Sequence, residues 1–128
     1  MTSRPRAEDL QRYEPEGGML SNAVAAHGFV SCVSLADDVL LDIAGQTRQT
    51  LAYIDHCLRV AGTDRGHLVQ VTIWLSDIRH REAMNAVWTE WLGDAPPPAR
   101  ACVEAKLGNP RYLIEITALA ALKSHPAA

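Results

Sequence analysis

Two charged residues stand in apolar surroundings near the end of this chain. Arg100 lies in Pro98-Ala99-Arg100-Ala101-Cys102-Val103-Glu104, and Glu115 lies in Leu113-Ile114-Glu115-Ile116. Arginine and glutamate are rarely buried unless paired, and an unpaired buried charge is costly. A guanidinium grips a planar carboxylate through paired, charge-assisted hydrogen bonds. A partly buried glutamate serves as general acid or base if burial lifts its pKa toward neutrality. Together they read as a site for a charged small molecule, with an internal Arg100–Glu115 ion pair as the rival reading. Cys102 shares a strand face with Arg100 and Glu104, by the two-residue period of a strand. As a nucleophile it needs a base or a positive environment, so a packed or pocket-wall cysteine is the favoured reading. If the strands of Arg100 and Glu115 are near neighbours, Arg100, Cys102 and Glu115 converge.

The elements that must hold these residues follow from patterning. Glu14-Pro15-Glu16-Gly17-Gly18 is a turn signal after a short strand over Leu10 to Tyr13. Leu20 to Ala26 and Phe29 to Leu35 read as strands joined by His27-Gly28. Ile43, Thr47, Leu51, Ile54, Leu58 and Ala61 recur at helical spacing, giving a helix from Asp42 to Ala61 that Asp42 caps and Gly62 ends. His67 to Leu75 alternates as a strand, with Val69, Val71, Ile73 and Leu75 on one face. A second helix runs from about Arg79 to Leu92, capped by Asp77, with Met84, Val87, Trp88 and Trp91 as its stripe. Pro96-Pro97-Pro98 then forces extended chain. Strands over Arg100 to Lys106 and Tyr112 to Leu122 complete an α+β sandwich, one sheet covered on one face by two helices. The other sheet face is too apolar for water, so an oligomer burying it is expected.

The totals narrow the function classes. At 128 residues, with 48% hydrophobic and 21% charged, the chain fits one soluble domain. Its ends, residues 1–9 and 124–128, are expected to fray. A net charge of -3 argues against an extended nucleic-acid surface. Cys32, Cys57 and Cys102 show no paired spacing, which disfavours disulfides and structural zinc. The five histidines have no metal-type spacing either. No apolar run reaches the ~20 residues of a membrane span, and Met1 to Leu10 carries no signal-peptide pattern. A cytoplasmic protein without metal is expected. No phosphate loop, dinucleotide fingerprint or Ser-His-Asp arrangement is present.

The chain resembles the reactive intermediate deaminase family, also called RidA or YjgF, over about residues 18 to 122. The segments that carry the resemblance are Gly45 to Leu51, Ala61-Gly62-Thr63, Leu68 to Ile78, Ala83 to Trp88, Pro98 to Glu104 and Ile114-Glu115-Ile116. The resemblance implies a chorismate-mutase-like fold with one mixed sheet, and a homotrimer with clefts between subunits. It also implies cofactor-free hydrolysis of enamines and imines to 2-oxo acids and ammonia. On this resemblance Arg100 holds the substrate carboxylate, Glu115 positions or activates water, and Cys102 and Ser34 line the substrate. The chain departs from the family where Gly17-Gly18-Met19-Leu20-Ser21 replaces a Gly-Pro-Tyr type segment, removing a tyrosine from the cleft wall. That departure keeps a second class open, a non-catalytic sensor that binds a 2-oxo acid. A ribonuclease reading conflicts with the net charge.

Overall fold

The computed structural model describes residues 10–123; the expectation of frayed ends falls outside them. Six strands form one sheet: β1 (Gln11–Glu16), β2 (Leu20–Ala26), β3 (Phe29–Leu35), β4 (Leu68–Leu75), β5 (Ala99–Glu104) and β6 (Ile114–Ala121). Two helices, α1 (Ile43–Val60) and α2 (Arg81–Leu92), complete the α+β fold. The strand order is β1-β2-β3-β6-β4-β5, and β4–β5 is the parallel pair.

Connectivity explains why both helices share one face. β3 and β4 each run antiparallel to β6, so they are parallel to each other, with α1 as the crossover between them. α2 is the crossover from β4 to β5. Both crossovers step the same way along the sheet, and right-handed connections then place both helices on the same side. β6 fills the slot that the first crossover skips. This puts the strand of Glu115 at the centre and the strand of Arg100 at an edge.

Local signals set the element ends. Asp42 Oδ1 accepts from the Gly45 amide at 2.9 Å and caps α1. Gly62, with φ of 90°, lets the chain leave the helix. His27 (φ 53°) and Gly28 (φ 85°) form the two-residue turn between β2 and β3. Positive φ at both positions is what matches such a turn to strand twist. The expected helix start at Arg79 is a single 3-10 turn over Ile78–His80, capped by Asp77, before α2 begins at Arg81.

One strand departs from its pattern. A register shift between Leu68 and Gln70 makes Val69 bulge outward, 43% exposed, while Leu68 is buried. The bulge reverses the facing of the first residues. Val71, Ile73 and Leu75 face the helices as expected.

The core lies between sheet and helices. Ile73, Ile114, Ile116, Val71 and Leu75 meet Leu51, Ile54, Leu58 and Met84, and all are essentially inaccessible. Cys32 and Cys57 belong to it, as their apolar neighbours predict. Gln46 is a polar member with its amide fully used. Its Nε2 donates to the carbonyls of Val39, Leu41 and Arg111 (3.2, 3.2 and 3.1 Å), and its Oε1 accepts from the Leu113 amide at 2.9 Å. Satisfied buried amides fix geometry, and this one ties the start of α1 to the chain entering β6, two residues before Glu115. No helix among the described residues is long and apolar enough to cross a membrane.

The opposite sheet face has no cover among the described residues. Phe29, Val33, Leu35, Trp74, Val103 and Leu119 lie on it, with Phe29 and Val103 more than 40% exposed.

Candidate functional site

The period of the strands decides where the charged pair goes. Arg100 pairs in register with Val71, Cys102 with Ile73 and Glu104 with Leu75. Paired residues of neighbouring strands share a face, so Arg100, Cys102 and Glu104 lie on the helix side. Glu115 pairs with Leu35 and Trp74, between the buried Ile114 and Ile116. It lies on the bare side. The two strands are separated by β4 and the two side chains leave opposite faces. The expected convergence of Arg100, Cys102 and Glu115 within one chain therefore does not occur, and neither does the internal ion pair. Intervening β4 is the reason, since the alternation within each strand is as expected.

Glu115 opens into a cavity of about 390 Å³. The cavity exists because β2 and β3 pair only from Ala23–Ala26 to Phe29–Cys32 and part beyond it. Asn22, Val33, Leu35, Tyr53 and Tyr112 line the gap beside Glu115, with the carboxylates of Glu16 and Asp37 at its margin. Asn22 is buried, and its Nδ2 donates to the Glu14 carbonyl at 3.2 Å and to Glu16 Oε1 at 3.0 Å. Tyr53 stacks on His56 with ring centroids 5.7 Å apart, and His56 Nε2 lies 2.8 Å from Glu14 Oε1. Loss of water around the Tyr53 hydroxyl, with Cys57 and Glu14 nearby, pushes its pKa up to about 12. It remains a protonated donor throughout the physiological range. Nothing in the sequence marks Tyr53 as a site residue, because it reaches the cavity only through the parting of β2 and β3.

Ser34 lines the same cavity, yet its hydroxyl is committed elsewhere. Its Oγ donates to the Thr50 carbonyl at 2.8 Å and the residue is buried. The hydroxyl fastens β3 to α1 rather than facing the cavity as a free donor.

The second group lies at the edge of β5. The Arg100 guanidinium carbon sits 5.2 Å above the Trp88 ring of α2. A cation over an indole face is held electrostatically while its N–H donors stay free in the guanidinium plane. Cys102 is half-buried beside it. Burial raises the pKa of its thiol, and the nearby charges of Arg100 and Arg81 pull it back in part. A raised pKa keeps the thiol protonated near neutrality, so it is a wall rather than a nucleophile. On the same flank of α2, Asn85 Oδ1 is buried without a hydrogen-bond partner among the described residues. In the sequence Asn85 is only one member of a helix pattern; its orphaned oxygen is visible only in three dimensions.

The family model described as endoribonuclease L-PSP matches residues 12–122. The chain is 36% identical over 75 residues to a RutC family protein of Haemophilus influenzae, a match covering 59% of this chain and 65% of that relative's length. It is 32% identical over 102 residues to the RutC family protein YoaB of Escherichia coli, covering 80% of this chain and 90% of that protein. In three dimensions, a YjgF family member from Neisseria meningitidis superposes with a TM-score of 0.83 at 31% identity, covering 91% of this chain and 98% of that one. With its sequence matched almost end to end by the family model and its fold by a solved member, this chain belongs to the RidA/YjgF family.

Proposed function

We propose that this protein hydrolyses reactive enamines and imines to 2-oxo acids and ammonia, in clefts between the subunits of a homotrimer. Each cleft takes Arg100 from one subunit and Glu115 from a neighbour. Arg100 receives the substrate carboxylate in a paired hydrogen bond. An enamine first tautomerises to its imine. Glu115 takes a proton from water as the oxygen bonds to the imine carbon, and the proton passes to nitrogen. The carbinolamine then gives its hydroxyl proton to the nitrogen as the C–N bond breaks, releasing ammonia and leaving the 2-oxo acid. General acid–base assistance of ~10²–10⁴-fold is adequate for a bond that hydrolyses unaided. No cofactor is required by this chemistry.

The observation that carries the reading is the separation of Arg100 and Glu115 onto opposite faces of one sheet. Each face holds half of a site: a free guanidinium beside Trp88, and a carboxylate in a cavity. The bare apolar face supplies the reason for chains to associate. The test is release of 2-oxo acid or ammonia from imino acids generated in the assay. The protein accelerates it, and Arg100→Ala returns it to the unassisted rate. No acceleration by the protein, or full acceleration by Arg100→Ala, overturns the reading.

A second reading rests on the β1–β2 turn, where Gly17-Gly18-Met19-Leu20-Ser21 replaces the Gly-Pro-Tyr type segment of the family resemblance and leaves Leu20 lining the cavity. With that wall changed, the cleft binds a 2-oxo acid as a sensor without turnover. Saturable binding of 2-oxo acids with no acceleration of imine hydrolysis selects it.

A further inference from the structure

Resting on the reading of Arg100 as the carboxylate-holding residue, we propose that Arg81 is a second guanidinium of the same site. Its ligand is then a dicarboxylate, a 2-imino or 2-oxo acid with another carboxylate on its side chain.

The two flanks of α2 do different work. Val87 and Trp91 turn toward α1, where Trp91 Nε1 donates to Asp55 Oδ2 at 2.8 Å. Arg81, Asn85 and Trp88, spaced at i, i+4 and i+7, share the other flank. Trp88 on that flank lies under Arg100, so the flank faces β5. Because α2 returns against the direction of β5, moving from Trp88 back to Arg81 follows β5 from Arg100 toward Cys102 and Glu104. The charge of Arg81 is felt at the Cys102 thiol together with that of Arg100. Both guanidinium charges thus act on one half-buried thiol.

Neither cation is neutralised by a carboxylate among the described residues. Arg79, the nearby alternative, is tied to Asp77 at 2.7 Å. Glu104 lies on the same strand face as Arg100, but its Oε1 accepts from the Ile78 amide at 3.0 Å. It is aimed at the turn before α2. Two unpaired like charges repel, and a ligand with two anionic groups relieves that repulsion, which a monocarboxylate does only in part. Arg81 sits at the start of α2 and Arg100 sits over Trp88 farther along the same helix flank, so the second anionic group must lie along that flank from the first. Asn85, whose buried Oδ1 has no hydrogen-bond partner among the described residues, comes between Arg81 and Trp88 on this flank.

Titration calorimetry of the full chain with 2-oxobutanoate and with 2-oxoglutarate tests this. The protein is expected to bind 2-oxoglutarate roughly tenfold more tightly, as one added charge-assisted contact predicts. That ratio collapses toward one in Arg81→Ala and is largely kept in Arg81→Lys. Arg81 is exposed in the first turn of α2, and circular dichroism checks that each variant is folded. A ratio unchanged in Arg81→Ala overturns the role of Arg81. Equal affinities in the unmodified protein overturn the dicarboxylate class while leaving the Arg100 reading intact. Failure of both acids to bind overturns both.

Discussion

The two faces of the sheet are built from the same alternating strands and have opposite fates. On one, Ile73, Ile114 and Ile116 are sealed by α1 and α2 with no accessible surface to speak of. On the other, Phe29, Trp74, Val103 and Leu119 are nearly as apolar and have no cover among the described residues. Arg100 belongs to the first face by its register with Val71, and it stays partly accessible because β5 is an edge strand. Glu115 belongs to the second because it lies between two residues of the core. The two charged groups are therefore divided by the alternation that builds the fold, and the proposed site is complete only where the two faces meet across a subunit boundary.

The strongest way to break this comparison is to inactivate each half on a different chain. Arg100→Ala and Glu115→Gln homo-oligomers are each expected to lose imine hydrolysis by about 10²-fold or more. If the two are mixed at equal ratio and reassembled, a head-to-tail ring regains activity. About a quarter of its clefts pair an intact Arg100 with an intact Glu115 from the neighbour. A mixture as inactive as its parents would show that both residues serve one chain.

The next comparison is energetic. Ile116→Ala removes a side chain from the sealed face and should cost about 2 to 5 kcal/mol in urea unfolding, through lost burial and a cavity. Leu119, three residues later, lies on the bare face. Leu119→Asp is expected to keep the far-ultraviolet dichroism of the fold while sedimentation shows monomers. An unchanged oligomer in Leu119→Asp would mean that the bare face is not what holds subunits together.

Much of this division is written in the sequence. The alternation of Ile114, Ile116 and Ala118 against Glu115 and Thr117 is a local property, and so are the helix stripes and the caps at Asp42 and Asp77. Arg100 and Glu115 stand out because charge in an apolar strand has few bland explanations. The relation between them is not legible, because sequence does not say that β4 lies between β5 and β6. The Val69 bulge is hidden since an alternating pattern carries no sign of an extra residue. Ser34 looks like a cleft donor because its partner, the Thr50 carbonyl, is backbone and leaves no mark in the sequence. Tyr53 and Arg81 are invisible for a related reason. Each lies on an ordinary helix position and acquires meaning only from what a distant strand brings beside it.

The smallest effect concerns the thiols, which all lie on the covered side and grade from its centre to its edge. Burial pushes the Cys32 thiol up to about 12, aided by Cys57, whose own pKa is raised by burial. Cys102 at the edge is raised by burial but eased by Arg100 and Arg81. Iodoacetamide at neutral pH should thus modify Cys102 slowly in the native protein, and Cys32 and Cys57 only after unfolding. The linkage has a definite sign. A thiol whose pKa is raised by folding contributes its full stability below its unfolded value of about 8.5, and that contribution is lost as pH climbs toward the folded value. Urea unfolding should accordingly become easier from about pH 8.5 upward, and Cys32→Ala should flatten the decline at the cost of a small cavity. Equal labelling of all three cysteines in the native state would mean that the covered face is open, contrary to everything its packing predicts.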